Sequence, residues 1–255
     1  MIRASLIRVP LIRTSFVFVR AFLFRSMQRG RSVGLGILLL TAMSGLLMSQ
    51  ADGGGAPSTP MVTFTLDFPQ SNPAHYSIAV DATGHARYEC AGTVAKDSDE
   101  QTYRAEFEVS AGSREKIFDW AKQAKYFAGK IDSGNAKLAF TGAKVLSYQD
   151  AQRSNTARYN YSHLEPVREL TTLFQSMAGT LEYGRRLAYF HRYQKLALDE
   201  ELKRMEAQAR SNDLSEIQSV APVLREIVED TSVINVVRAR AKELVQMGST
   251  AAAGH

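Results

Sequence analysis

The sequence predicts an α+β fold: an antiparallel sheet with one packed helix, followed by an all-α helical region that ends in a helical hairpin. Three observations predict this class. Apolar and polar residues alternate in short segments of the first half, as they do in strands with one buried face. One apolar stripe of helical period interrupts these segments, and a sheet covered by a helix buries such a stripe. After Pro166 the helical period persists.

The strands are predicted from period-two patterns. Residues 62–68 place an apolar side chain at every second position, and residues 103–109 alternate in the same way. Residues 75–81 and 85–90 are expected to form a hairpin about Gly84, because glycine adopts the positive φ of a tight turn without steric cost. Three further strands are expected after the helix, at residues 137–141, 144–149 and 157–161.

The helix of the first half is predicted over residues 113–127. Its apolar residues recur at spacings of three and four, and Gly129 follows its end. The stripe consists of Ile117, Trp120, Ala121, Ala124 and Phe127.

The helical region is predicted to contain three or four helices. Gly179 and Thr180 indicate a break in the first, and a long helix is expected over residues 181–210. Asp213 and Glu216 have the spacing of a capping box, which predicts the start of the next helix.

The last two helices, residues 221–245, resemble one helical hairpin of the HEAT-repeat type. Such a unit needs neighbours to bury its apolar face, and the sequence shows no second copy. The hairpin is therefore expected to pack on the long helix or on a partner. Thr231 or Ser232 is expected to cap its second helix, and residues 248–255 are expected to be a disordered tail.

Residues 1–51 are predicted to be a leader and signal peptide. Two arginines precede the uncharged apolar residues 33–48, and small residues follow up to Ala51, after which cleavage is expected. Met27 is the expected start of a signal peptide of ordinary length, with a long positive leader from Met1 as the alternative. A retained inner-membrane anchor is also kept open, because residues 33–48 are intermediate in length between a signal-peptide core and a spanning helix.

Removal of the leader changes the charge of the protein. The whole chain carries 31 basic and 26 acidic residues, a net charge of +5. Residues 1–51 hold seven arginines and no acid, so 24 basic residues remain against 26 acidic ones, a net charge of −2. Basicity therefore gives no support to nucleic-acid binding. We expect a periplasmic or secreted protein or, in the alternative, one anchored through residues 33–48.

The remaining chain is divided into a flexible linker at residues 52–60, an α+β domain at 61–163 and a helical region at 164–247. Its one cysteine, Cys90, cannot form an intramolecular disulfide. A buried structural thiol is favoured over a reactive one, because His85 lies five residues away and hence on the opposite face of the strand.

The hairpin about Gly84 is followed by a helix that ends in an aromatic pair, Tyr126 and Phe127. In this order of elements, residues 61–178 resemble a family of uncharacterised secreted bacterial proteins with a small α+β domain and a helical C-terminal region. The resemblance rests on no invariant chemical motif, and it implies no activity.

Sequence motifs of known chemistry are absent. Gly129-Lys130 lacks the flanking residues of a phosphate-binding loop, and the spacings HExxH, CxxC, GxSxG and EF-hand do not occur. The five histidines are scattered, so neither a metal site nor a cofactor is expected. Tyr148, Tyr159 and Tyr161 are candidates for a glycan-binding face, although half-buried strand residues are the favoured interpretation.

The first half of the long predicted helix carries the candidate binding surface. It combines basic and aromatic residues with one acid, a composition that suits an acidic partner, a wall polymer or anionic lipid. The alternative is a solvated helix whose tyrosines pack on its neighbours. The candidate residues are Arg185, Arg186, Tyr189, Arg192, Tyr193 and Lys195.

The leading functional hypothesis is a non-catalytic, exported envelope protein that binds an unknown protein partner through its helical region; membrane-surface contact and oligomeric state are kept open. The alternatives are a hydrolase-type enzyme with a site assembled across the sheet, and a small-ligand or glycan-binding domain. An exposed apolar patch on the last two helices would support the first hypothesis, and a cavity with converging polar groups would support the enzyme.

Overall fold

A computed structural model describes residues 59–95, 98–135 and 137–253. The predicted leader at residues 1–51, including the apolar segment 33–48, lies outside these residues, as does nearly all of the predicted linker. Within the described ranges, no helix combines the length and the apolar character needed to cross a membrane.

The sheet has six strands and is antiparallel throughout, in the spatial order β4-β3-β2-β1-β5-β6. Buried and less buried residues alternate along the strands, as the sequence predicts. Gly84 adopts a φ of 101° in the predicted hairpin turn. The strands are β1 (Met61–Asp67), β2 (His75–Asp81), β3 (His85–Gly92), β4 (Gln101–Glu108), β5 (Ala143–Gln149) and β6 (Ser154–Tyr159).

The helices follow the sheet in the chain, except for α1, which lies between β4 and β5. This arrangement confirms the α+β class, with a sheet followed by an all-helical region. The helices are α1 (Ala111–Gln123), α2 (Glu165–Tyr193), α3 (Leu198–Arg210), α4 (Ala221–Glu229) and α5 (Asn235–Ala253).

Helix α2 crosses the strands and covers their buried face. Between its contacts with β6 and β3 the helix advances eleven residues, about 16 Å, which is close to the roughly 19 Å spanned by four strand spacings. The predicted boundary at 163/164 therefore does not separate two cores, because α2 completes the core of the sheet. The contacts of α2 with the sheet are Thr171 with Tyr159 of β6, Phe174 with Phe64 of β1, and Glu182 with Tyr88 of β3.

Residues 137–141 are a loop, so the strand predicted there is wrong. The backbone N–H of Thr141 donates to the side chain of Asn160 (3.1 Å) instead of joining a strand ladder. Gly142 then turns the chain with a φ of 99°, and a Cβ at this position would lie 2.8 Å from a methyl carbon of Leu66. Both constraints require glycine, and β5 begins directly after it.

Helix α1 begins and ends earlier than predicted. Ser110 caps it by accepting a hydrogen bond from the backbone N–H of Ser113 (3.3 Å). The helix ends at Gln123 because Lys125, Tyr126 and Phe127 all have positive φ, between 53° and 62°.

Helix α2 runs unbroken through Gly179 and Thr180, so the break predicted there is wrong. The hydroxyl of Thr180 donates to the carbonyl of Ser215 (2.6 Å) and so ties α2 to a neighbouring segment instead of capping a new helix. The chain breaks instead at Gln194 and a 3-10 turn, Lys195–Ala197, which divides the helix predicted over residues 181–210.

Glu216 does not start a helix, so the predicted capping box is wrong. Its φ is 56°, and its carboxylate accepts hydrogen bonds from the backbone N–H of Ser110 (2.7 Å) and the hydroxyl of Ser113 (2.5 Å). The Glu216 carboxylate therefore supplies hydrogen-bond acceptors at the N-terminus of α1, although α1 is distant from Glu216 in the sequence.

Helices α4 and α5 form the predicted hairpin, which packs on α2 and α3. Helix α5 begins at Asn235, so neither Thr231 nor Ser232 is its cap. It continues to Ala253, so most of the predicted tail at residues 248–255 is helical.

Candidate functional site

Arg185 does not belong to an exposed binding surface. Its guanidinium is buried, pairs with Glu182 (3.1 Å) and donates to the carbonyls of Gly92 (3.3 Å) and Thr93 (2.9 Å). It also lies over the ring of Tyr103, 5.8 Å from the centroid. Arg185 therefore fixes α2 to the far edge of the sheet.

The same buried cluster contains the cysteine. Glu182 accepts hydrogen bonds from the hydroxyl of Tyr88 (2.7 Å) and the thiol of Cys90 (3.2 Å). Burial, together with the Glu182 charge, raises the pKa of Cys90 to about 11. The thiol is consequently protonated at neutral pH, which agrees with the predicted structural role.

Arg186 and Tyr189 also engage their own chain. The Arg186 guanidinium donates to Glu201 (2.5 Å) and lies over the ring of Tyr183, 4.6 Å from the centroid. Tyr189 is half-buried, and its ring centroid lies 5.1 Å from that of Tyr193. The Arg186 contact joins α2 to α3, and the two tyrosine rings contact each other at a tilt of 50°.

Lys195 ties the turn between α2 and α3 to the turn between α4 and α5. Its ammonium lies 2.5 Å from the carboxylate of Asp230 and 2.5 Å from the hydroxyl of Ser232. His191 reaches the same carboxylate at 2.8 Å. The hydrogen bonds from Lys195, Ser232 and His191 hold the pKa of Asp230 well below its usual range.

We expect Asp230→Asn to lower the melting temperature most at neutral pH. Because the folded-state pKa of Asp230 is depressed, its contribution is complete above the unfolded pKa, about 4, and is lost as the pH falls toward the folded value. The difference in melting temperature between wild type and variant should therefore shrink between pH 6 and pH 3. Thermal melts at both pH values check this, with Asp119→Asn on the exposed face of α1 as the control. A difference that does not change with pH would contradict the role of this charge.

The exposed part of the candidate surface is smaller than predicted and includes residues that the sequence analysis missed. Arg192 is exposed and lies over the ring of Tyr193, which is 62% exposed. Leu196 follows at 98% exposure, and across the Lys195–Asp230 contact lie Ile234 at 63% and Val236 at 53%. We call Tyr193, Leu196, Ile234 and Val236 the junction patch.

Tyr148, Tyr159 and Tyr161 do not form the exposed aromatic face that the glycan-binding alternative requires. Tyr148 and Tyr159 are buried, and the hydroxyl of Tyr159 hydrogen-bonds Thr171 (2.6 Å) in α2. Tyr161 alone is exposed, and it meets His163 edge-on. The three rings therefore present no shared face to a sugar.

Two cavities are open surface depressions of similar volume, about 580 and 590 Å³. One of about 580 Å³ lies beside α1 and is lined by Arg114, Asp119, Lys122 and Tyr126, among others. Among the described residues, no three His, Cys, Asp or Glu side chains come together as metal ligands would. A smaller cavity of about 260 Å³ lies between β5 and α2, beside the buried Lys144.

Lys144 is the polar residue that the strand pattern itself singles out. It shares the buried face of β5 with Leu146 and Tyr148, because residues two apart on a strand point to the same side. A lysine at such a position was visible in the sequence, although its surroundings were not.

Comparison with known proteins does not assign this chain to a family. Neither the protein-family models nor the curated proteins contain a match to this sequence. The resemblance of residues 61–178 to a secreted bacterial family therefore stays a prediction, and any functional conclusion depends on the geometry described above.

Proposed function

We propose that this chain is an exported cell-envelope protein that binds a protein partner through its helical region, without catalysing a reaction. The observation that carries the proposal is the junction patch. Its members lie at the end of α2 and in the turn after it, and around the start of α5. These two segments are distant in sequence and are brought together by the contact of Lys195 with Asp230.

The exposure of the junction patch has an energetic cost that a binding surface would explain. Leu196 is almost fully exposed, although one residue away the chain is fixed by Lys195 and Asp230. Scattered exposed apolar residues are ordinary, whereas several gathered around one contact between helices are typical of interaction sites. Burying a leucine side chain on binding is worth about 1.5 to 3 kcal/mol.

The charge around the junction patch indicates the chemistry of the partner. Arg192 is exposed, whereas the charge of Lys195 is already paired with Asp230. Aromatic and arginine side chains at such a site are typical of the residues that dominate binding energy. We therefore expect an apolar segment of another protein that carries at least one acidic residue opposite Arg192.

A charge introduced into the junction patch should abolish partner capture. We expect Leu196→Asp combined with Ile234→Asp to reduce recovery of the partner from native envelope extract at least tenfold, because a buried carboxylate at the interface would lack a counter-ion. Quantitative cross-linking and pull-down with the purified protein measure the recovery. Phe140→Asp, at an exposed apolar position on the loop before β5, is the matched control and should leave capture unchanged.

If something other than a protein partner covers the junction patch, the experiments give different results. Concentration-dependent dimerisation that the patch substitutions remove would indicate a second copy of the chain. Flotation with anionic vesicles that depends on the patch would indicate a membrane surface. Equal recovery of all proteins by wild type and the patch variant would refute the proposed interface.

A further inference from the structure

Lys144 is a buried charge without a counter-ion. It is 5% exposed and lies on the face of β5 that α2 covers. Lysine is almost never buried in this way unless it is paired, because removing its charge from water is costly. Burial correspondingly lowers the pKa of the Lys144 ammonium.

Neutral oxygens surround the Lys144 ammonium. It donates to the hydroxyl of Thr141 (2.8 Å) and the carbonyl of Asn160 (3.0 Å), with the carbonyls of Thr141 and Gly142 at 3.3 and 3.4 Å. The nearby carboxylate of Asp132 instead accepts from the backbone N–H of Asn160 (2.8 Å). The donors of Lys144 are therefore satisfied, but no carboxylate among the described residues pairs with its charge.

The loop before β5 is held in the shape that this cage needs. Asn160 holds it at two points, accepting from the Thr141 N–H (3.1 Å) and donating to the carbonyl of Ala139 (3.1 Å). The turn at Gly142 requires glycine, both for its positive φ and for its close approach to β1. The position of the Thr141 hydroxyl beside Lys144 is thus built into the fold.

A second cation faces the same cavity, which has a volume of about 260 Å³. Arg168 of α2 is exposed there and forms no ion pair with any described residue. Thr172 and Gln175 line the same side, one helical turn apart, and no acidic residue lines the cavity. Two cations and several hydrogen-bond donors therefore converge on a volume suited to a small molecule.

We propose that this cavity binds a small oxyanion of the phosphate class. Arg168 contacts the anion with its planar guanidinium, and Lys144 neutralises it through the Thr141 hydroxyl, which accepts from the ammonium and has its own proton free to donate. The anion supplies the negative charge that the buried lysine lacks. This site is independent of the junction patch.

Inorganic phosphate should therefore stabilise the purified protein beyond the effect of ionic strength. We expect 10 mM phosphate to raise the melting temperature relative to chloride at equal ionic strength, because a ligand that binds only the folded state stabilises it. Lys144→Met retains the aliphatic length and removes the charge, and Arg168→Gln changes an exposed residue that does not hold the fold. Each should weaken phosphate binding, measured by titration calorimetry, at least tenfold.

The controls separate this site from general electrostatics. Lys122→Met, at an exposed position on α1, should bind phosphate as the wild type does. A phosphomonoester should bind if the natural ligand is organic, and only inorganic phosphate should bind if the cavity admits the free ion alone. A phosphate effect no larger than that of chloride, a preference for acetate over phosphate, or wild-type binding by Arg168→Gln would each overturn the proposal.

Discussion

Glu182→Ala is expected to destabilise the protein by about 3 to 5 kcal/mol, the cost of removing one member of a buried ion pair. The substitution leaves Arg185 buried without its carboxylate and removes the acceptor of the Tyr88 hydroxyl and the Cys90 thiol. Because this cluster joins α2 to β3, its loss affects the packing of the helix across the sheet. Equilibrium unfolding in urea, followed by circular dichroism, measures the effect.

Two further variants test whether the unpaired charge of Arg185 causes the loss of stability. Replacing both members, in Glu182→Met with Arg185→Met, should recover part of the stability, because no ion then remains buried. Glu200→Ala removes a carboxylate that pairs with Arg204 on the surface of α3, and it should cost about 0.5 kcal/mol or less. A loss below about 1 kcal/mol for Glu182→Ala would show that the buried pair is not important for stability.

Gly184→Ala is expected to destabilise the protein by up to about 2 kcal/mol, because the usual overpacking cost of about 1 to 3 kcal/mol is partly offset by the gain of about 1 kcal/mol that alanine brings to a helix interior. A Cβ at this position in α2 would lie 2.4 Å from a methyl carbon of Val220, so the 3-10 turn that carries Val220 must move.

Gly184→Ala should no longer destabilise the protein when Val220 is replaced by the smaller alanine. In a Val220→Ala background, Gly184→Ala should be neutral or stabilising, because the new methyl group fills space and favours the helix. Gly179→Ala is the control, since its nearest neighbour is the flexible end of Leu214 at 3.3 Å, and we expect a change within about 1 kcal/mol. The same cost of Gly184→Ala in both backgrounds would contradict the close contact.

The candidate surface shows where sequence patterns mislead. Basic and aromatic residues on one helix predicted a single binding face, but α2 places Arg185 against the sheet and Arg186 against α3. The junction patch was missed because Leu196 and Ile234 are 38 residues apart in sequence, and only the contact of Lys195 with Asp230 brings the segments that carry them together. A sequence pattern describes one element at a time, whereas a surface is shared by several.

The sequence by itself determined the α+β class, the hairpin about Gly84 and the period-two strands β1 and β4. Apolar periodicity decides these features, because an amphipathic segment has only one low-energy way to face a core. It did not determine which polar residues are buried. Glu182 and Glu216 look like surface residues in the chain. They are buried because distant segments bring them their hydrogen-bond partners, and only the tertiary structure decides which partners those are.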